Sequence, residues 1–153
     1  IETISAYENL ENILNSEDLK YLTGIVVGRN DLAKSMGYSK NEVNNNQILK
    51  ITLDILQKAK GENLKTVIGG NLTPQSISFL ETIPSNLLDY FETRVIIFDY
   101  KKLLKEDRAD SIKKAMELEL FLLQNKKNTE SIVTSRINEI KQRLCDSSII
   151  TKN

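Results

Sequence analysis

The residues best placed to do chemistry lie between Gly24 and Gly37, in the run Gly-Ile-Val-Val-Gly-Arg-Asn-Asp-Leu-Ala-Lys-Ser-Met-Gly. Ile25, Val26 and Val27 read as a short buried strand that ends at Gly28. Arg29 to Asp31 then form a polar loop, and a brief helical pattern closes at Gly37. An acid where a buried strand gives way to a helix stands at the mouth of a parallel sheet, which is where α/β folds place their sites. Asp31 is therefore the first candidate functional residue. Its structural alternative is an N-cap for a helix over Leu32 to Met36.

The rest of the composition narrows the chemistry open to such an acid. The chain has no His, which removes His-based triads and His-ligated metals and leaves acid/base work to carboxylates, Lys, Tyr or water. The single Cys145 has no visible activating base, and one cysteine fits a reducing cytoplasm. Twenty-one Lys and Arg balance twenty-one Asp and Glu across 153 residues, so no global positive field argues for nucleic acid or an anionic membrane. No apolar run approaches the roughly 18 to 20 residues of a spanning helix. No signal peptide is read at the start, which opens on Ile rather than Met. A small-molecule substrate and other subunits are the expected partners, in a cytoplasmic setting.

The elements that must hold Asp31 follow from periodicity. Ile1 to Thr3 read as the end of a strand, and Ser5 caps a helix carrying Tyr7, Leu10 and Leu14. Past an Asn-rich loop at Asn41 to Asn46, Ile48, Thr52, Ile55 and Ala59 form one helical stripe, with Gly61 past its end. Lys65 to Ile68 read as a second buried strand broken by Gly69-Gly70, and Thr73-Pro74 open another helix. A helical piece over Ser85 to Phe91 and a buried strand over Arg94 to Phe98 complete the series. Strand and helix alternate at intervals of about 30 to 40 residues, which predicts a parallel sheet of βα units. The C-terminal third carries two amphipathic helices, one over Asp110 to Asn125 and one through Val133, Ile137, Ile140 and Leu144, after a polar break. They either cover the sheet or pack on a neighbouring subunit.

Three segments together resemble the aldolase and citrate lyase β-subunit family, the HpcH/HpaI type of metal-dependent lyase. They are Ile1-Glu2-Thr3 with its capped helix, Gly28 to Gly37, and, more weakly, Thr66 to Gly70 with Thr73-Pro74 and Phe91 to Phe98. The resemblance covers residues 1 to about 100. It implies the C-terminal portion of a TIM (β/α)8 barrel, about strands five to eight, at residues 1–105, followed by a C-terminal helical extension at 106–153. A complete barrel takes about 250 residues, so the chain is expected to be a fragment of one, with an open edge at Ile1 and inactive alone.

What the family does is implied with it. An acid at the end of strand five and an acid after strand six bind one divalent cation, and these positions correspond to Glu2 and Asp31. Two carboxylates with no His or thiolate nearby suit Mg²⁺ or Mn²⁺ completed by water and substrate oxygens. The implied activity is a carbon-carbon lyase or aldolase reaction on an oxo-acid or acyl substrate, including acyl-CoA, through a metal-stabilised enolate. Backbone N–H groups around Asn30 and Asp31 would hold the substrate carboxylate. Arg29 departs from the Pro usual in pyruvate aldolases and is a candidate contact to a substrate carboxylate, or the partner of a neighbouring acid. Gly69 and Gly70 are candidates for ligand or phosphate contact, and equally for a tight turn. The catalytic base and the family's substrate-binding Arg fall outside this sequence. Two other functions stay open: a non-catalytic barrel relative or assembly module, with homo-oligomer contacts on the C-terminal helices, and a phosphate-binding barrel of another class.

Overall fold

The computed structural model describes residues 1–125 and 131–150. Its architecture is mixed α/β, with a four-stranded sheet among the described residues in the order β1 (Gly24–Gly28), β2 (Lys65–Gly69), β3 (Tyr90–Glu92), β4 (Ile97–Asp99). β1, β2 and β3 run parallel in register Gly24↔Lys65 through Gly28↔Gly69 and Ile68↔Phe91, and β4 returns antiparallel to β3. Ile1 adds one rung on the outer edge of β1: its nitrogen donates to Val26 O (2.5 Å) and its carbonyl accepts from Gly28 N (3.0 Å). The sheet therefore follows the chain in order, as successive βα units require.

Alternation along the strands divides the sheet into two unlike faces. Ile25, Val27, Thr66, Ile68 and Phe91 are buried on one face, against α3 (Arg29–Ser35) and α4 (Asn46–Gly61). The stripe Ile48, Thr52, Ile55 and Ala59 of α4 is fully buried, as its spacing predicts. On the opposite face Val26, Val67 and Tyr90 form a row across the three strands, and Val26 remains 38% exposed. Gly28, Gly69 and Glu92 follow at the carboxyl ends.

Several local expectations are corrected. The first helix is capped by Thr3, whose Oγ1 accepts from Ala6 N (3.1 Å), not by Ser5, and it breaks at Asn9 into α1 (Ile4–Glu8) and α2 (Leu10–Leu14). Gly61 is the last residue of α4; the left-handed turn beyond it falls to Asn63 (φ 58°). No helix forms over 85–91, because Pro84 opens a turn closed by Leu87 N (2.9 Å) and the chain then enters β3. Leu87, Leu88 and Phe91 mimic helical spacing but belong to a strand and its approach. The apolar run Arg94 to Phe98 is no buried strand: Val95 and Ile97 face solvent, Thr93 turns the chain by donating to Ile96 O (2.8 Å), and only Ile97–Asp99 pairs as β4. Thr73-Pro74 behaves as read, opening a capping box that leads into α5 (Ile77–Glu81).

The C-terminal helices α6 (Arg108–Gln124) and α7 (Ser131–Ile150) return to the body of the chain. Ile112, Met116 and Ile140 enter the same core cluster as Leu10, Ile55 and Phe91, with Leu120, Leu123 and Leu144 packed against it. The polar break expected between them lies outside the described residues, at 126–130.

One buried ionic knot ties α4, β2 and the approach to β3. The Asp89 carboxylate accepts from Lys60 Nζ, from Thr66 N (2.9 Å) and from Thr66 Oγ1 (3.3 Å). Burial pushes this carboxyl up, but the Lys60 and Thr66 hydrogen bonds and the charges of Lys60 and Lys65 outweigh it and hold the group below its usual range. Asp89→Asn is expected to lower unfolding stability at pH 7 by roughly 2 to 3 kcal/mol, the scale of charge-assisted hydrogen bonds. A depressed carboxyl contributes fully above its unfolded pKa and loses that contribution as pH falls through the folded value. The deficit of the variant in urea melts should therefore narrow as pH drops below about 4.

Candidate functional site

At the carboxyl ends of β1 and β2, glycines leave room for two acidic side chains. A Cβ at Gly28 would stand 2.5 Å from Glu2 Oε1, and one at Gly69 would stand 2.8 Å from Glu92 Oε1. The two side chains lie over the paired glycines Gly28 and Gly69, which bring Glu2 and Glu92 to the same corner of the sheet. Burial, then the charge of Glu2, pushes the Glu92 carboxyl above its usual range.

Asp31 is the third residue of α3 and is exposed. The helix begins at Arg29 with Gly28 at its N-cap, so Asp31 does not cap a helix over Leu32 to Met36. Among the described residues its carboxylate meets one long contact, from Asn30 Nδ2 (3.5 Å).

Arg29 is fully buried and does not line the cleft described below. Its Nε donates to Gly69 O (3.3 Å), its NH2 to Gly70 O (3.1 Å) and its NH1 to Asn44 Oδ1 (2.6 Å), while the guanidinium lies 4.5 Å from the centre of the Phe79 ring. Burial pulls its pKa down to about 9, so it remains charged at neutral pH. The structure gives Arg29 backbone carbonyls and an amide as partners in place of a neighbouring acid. Its role here is to clamp the β2 loop to the start of α3. Gly70 completes the junction: its φ is +78°, and a Cβ there would meet Asn30 N at 2.6 Å and Arg29 N at 2.7 Å. The tight-turn reading of Gly69-Gly70 is thus met by close packing of backbone on backbone.

A cleft of about 350 Å³ opens beside this corner. The strand-end loops contribute Asn30, Asp31, Gly70, Glu92 and Arg94; the C-terminal helices contribute Glu119, Arg136, Glu139 and Arg143, and Lys40 joins them. Arg136 grips Glu119 through Nε (2.8 Å) and NH2 (2.9 Å) and reaches Glu139 through NH1 (3.0 Å). Glu139 also accepts from Arg143 NH2 (2.5 Å) and Lys40 Nζ (3.1 Å). Burial would raise the Glu139 carboxyl, but these three cations bring it down to about 2.

The structure thus brings Asn30, Asp31 and Gly70 to one cleft and places Glu2 at the adjoining corner through Glu92. Glu92 carries no sequence signal, because the strand pattern falls on Arg94 to Phe98 while the parallel strand forms at Tyr90–Glu92. It also missed the α7 charges, whose spacing at Arg136, Glu139 and Arg143 reads equally well as a solvated helix face.

The donor set around Glu2, Asp31 and Glu92 is all hard oxygen, and the Gly28–Gly69 cradle keeps Cβ atoms out of the space between strand ends. Among the described residues no group of three or more acids, Cys or His stands close enough to enclose a metal. An open site of one or two carboxylates fits Mg²⁺, which keeps several waters and takes substrate oxygens. Comparison with known proteins adds no relative: no family model, curated protein or solved structure matches the chain. No helix among the described residues is long and apolar enough to cross a membrane.

Three substitutions test these backbone roles. Arg29→Met leaves three acceptors unpaired and should cost roughly 3 kcal/mol in urea unfolding; unchanged stability would dissolve the clamp. Gly70→Ala should cost roughly 2 kcal/mol or more, from positive φ and backbone overlap. Gly61→Ala, which meets nothing within 4 Å, should stabilise by roughly 0.5 to 1 kcal/mol.

Proposed function

We propose that this chain is part of a divalent-metal-dependent carbon-carbon lyase or aldolase acting on an oxo-acid or acyl substrate, and that its parallel strands belong to a (β/α)8 barrel. The observation that carries the reading is the Glu2–Glu92 corner over Gly28 and Gly69, beside Asp31, at the carboxyl ends of parallel strands laid down in chain order. That end of such a sheet is where α/β barrels place their sites. The half-open face carrying Val26, Val67 and Tyr90 is the one that a barrel would enclose.

Glu2 and Asp31 would hold Mg²⁺ or Mn²⁺, which supplies Lewis-acid polarisation of a chelated carbonyl and stabilises negative charge developing on it. Burial, then the charge of Glu2, raises the Glu92 carboxyl above its usual range, and Glu92 would offer its oxygens to the substrate or to the waters around the cation. Arg29 acts at one remove, fixing the Gly69 and Gly70 carbonyls and with them the loop that borders the site. Asn30 and Asp31 offer polar contacts along the cleft.

A second reading, an assembly module, has one observation in its favour. Leu118, Phe121 and Leu122 lie at helical spacing on α6 and are 40%, 60% and 51% exposed, an apolar stripe of the kind that self-association covers.

Calorimetric titration of the intact protein with Mg²⁺ and Mn²⁺ tests the first reading. One cation per chain is expected, with affinity falling at least tenfold in both Glu2→Gln and Asp31→Asn. Wild-type protein that binds neither cation, with or without pyruvate or oxaloacetate, would leave the assembly reading in its place.

A further inference from the structure

Two irregularities of the fold coincide at Asn71. It stands at φ 57° directly after Gly70 at φ 78°, so the loop leaving β2 spends two successive residues in the left-handed region. Its Nδ2 donates to Lys40 O (3.3 Å), which fixes the direction of the carboxamide. Oδ1 is thereby turned into the wall, shut off from water and without a donor among the described residues. A buried acceptor left unmet is costly, and its donor has to be looked for outside the chain.

Asn71 divides the cleft from a second hollow of about 230 Å³ and lines both. Carboxamides dominate the polar wall of the second hollow: Asn41, Asn44 and Gln75 join Asn71, with the Thr73 side chain beside them. Asn44 accepts from Arg29 at Oδ1 and keeps Nδ2 without a partner among the described residues, as do the whole amides of Asn41 and Gln75. Charge does not select the ligand here. Lys40 and Arg143 border the hollow but are each paired with Glu139, and Asp146 on the same wall accepts from Gln142 Nε2 (2.9 Å). Among the described residues no aromatic ring lines it, so it offers a nucleobase nothing to stack on. What remains is a set of neutral groups that together donate and accept, the complement of hydroxyls that do the same. With about 30 Å³ for each water, the space takes roughly seven, room for one small molecule and not for a polymer.

We propose that this hollow, between residues 40–44, residues 71–75 and α7, is a binding site for a small neutral polyol no larger than a monosaccharide. Asn41, Asn44 and Gln75 share its hydroxyls. One of those hydroxyls is the donor that Asn71 Oδ1 lacks, met by a swing of the side chain that gives up only its long hydrogen bond to Lys40 O. The site is separate from the acids at the strand ends and does not rest on the lyase reading.

The test is NMR titration of the intact, isotope-labelled protein with glycerol, myo-inositol and glucose, following the side-chain amide signals of Asn41, Asn44, Asn71 and Gln75. Saturable shifts are expected with at least one of the three, and the affinity should not change on adding salt, since a neutral ligand has no charge to screen. Asn71→Gly keeps the positive φ while removing the carboxamide, and should weaken binding at least fivefold. Gln75→Ala breaks no hydrogen bond of the fold among the described residues and should do the same, which guards against a folding defect in the first variant. Lys40→Gln, at a side chain two-thirds exposed, should change the affinity less than twofold. No saturable shift with any of the three polyols, or equal affinity in wild type and both amide variants, overturns the proposal. Binding that weakens as salt is added, or that is lost in Lys40→Gln, overturns it as well, because the hollow would then be selecting charge.

Discussion

The constraint on which the site depends is the burial of one guanidinium with no carboxylate beside it. A charge taken out of water costs several kcal/mol unless hydrogen bonds replace its hydration. Arg29 therefore holds Gly69 O, Gly70 O and Asn44 Oδ1 in an arrangement that satisfies it, with Phe79 below its face. Those acceptors come from the end of β2 and from the loop ahead of α4. One side chain thus locks the β1–α3 junction to the neighbouring strand end, and Asn30 and Asp31 are positioned as a consequence. A carboxylate partner would have satisfied the charge with less demand on backbone geometry.

Glycine supplies the complementary constraint. With Arg29 drawing the β2 loop inward, Gly70 comes so near the Asn30 and Arg29 nitrogens that no side chain fits. Gly28 and Gly69, paired in register, leave the space in which Glu2 and Glu92 lie. Glu2 is consequently close enough to raise the Glu92 carboxyl, a cost that a bound cation would relieve. Tight backbone packing and the crowding of charge are two results of the same three glycines.

Much of this was legible in the chain because it is local. The β-branched run at Ile25 to Val27, the helical stripe of α4 and the Thr73-Pro74 start each declare themselves within a few residues, and Asp31 follows from the first of them. Arg29 was legible as unusual but not as buried, since its acceptors lie forty residues away on a strand whose register no local pattern reveals. The Arg94 to Phe98 run misled for a related reason: apolar content alone does not distinguish a central strand from a hairpin return. Burial there alternates with Ile97 outward, and the parallel strand is the less apolar Tyr90–Glu92. Glu92 went unnoticed with it.

The C-terminal helices show how a surface pattern becomes part of a site. Arg136, Glu139 and Arg143 have the spacing of intrahelical pairs, and on an isolated helix such pairs contribute only a few tenths of a kcal/mol. Docking changes their meaning. Ile140 anchors α7 in the core, Glu119 is buried against Arg136, and Lys40 arrives from a turn a hundred residues earlier. Out of bulk water the same charges interact more strongly, and Arg136, Lys40 and Arg143 together bring the Glu139 carboxyl down to about 2. The polarity of the cleft therefore arises from tertiary packing of the last two helices on the sheet-bearing part of the chain. Asp31, Glu92, Glu119 and Glu139 share that cleft with Lys40, Arg94, Arg136 and Arg143, so opposite charges are matched across strand ends and helices alike.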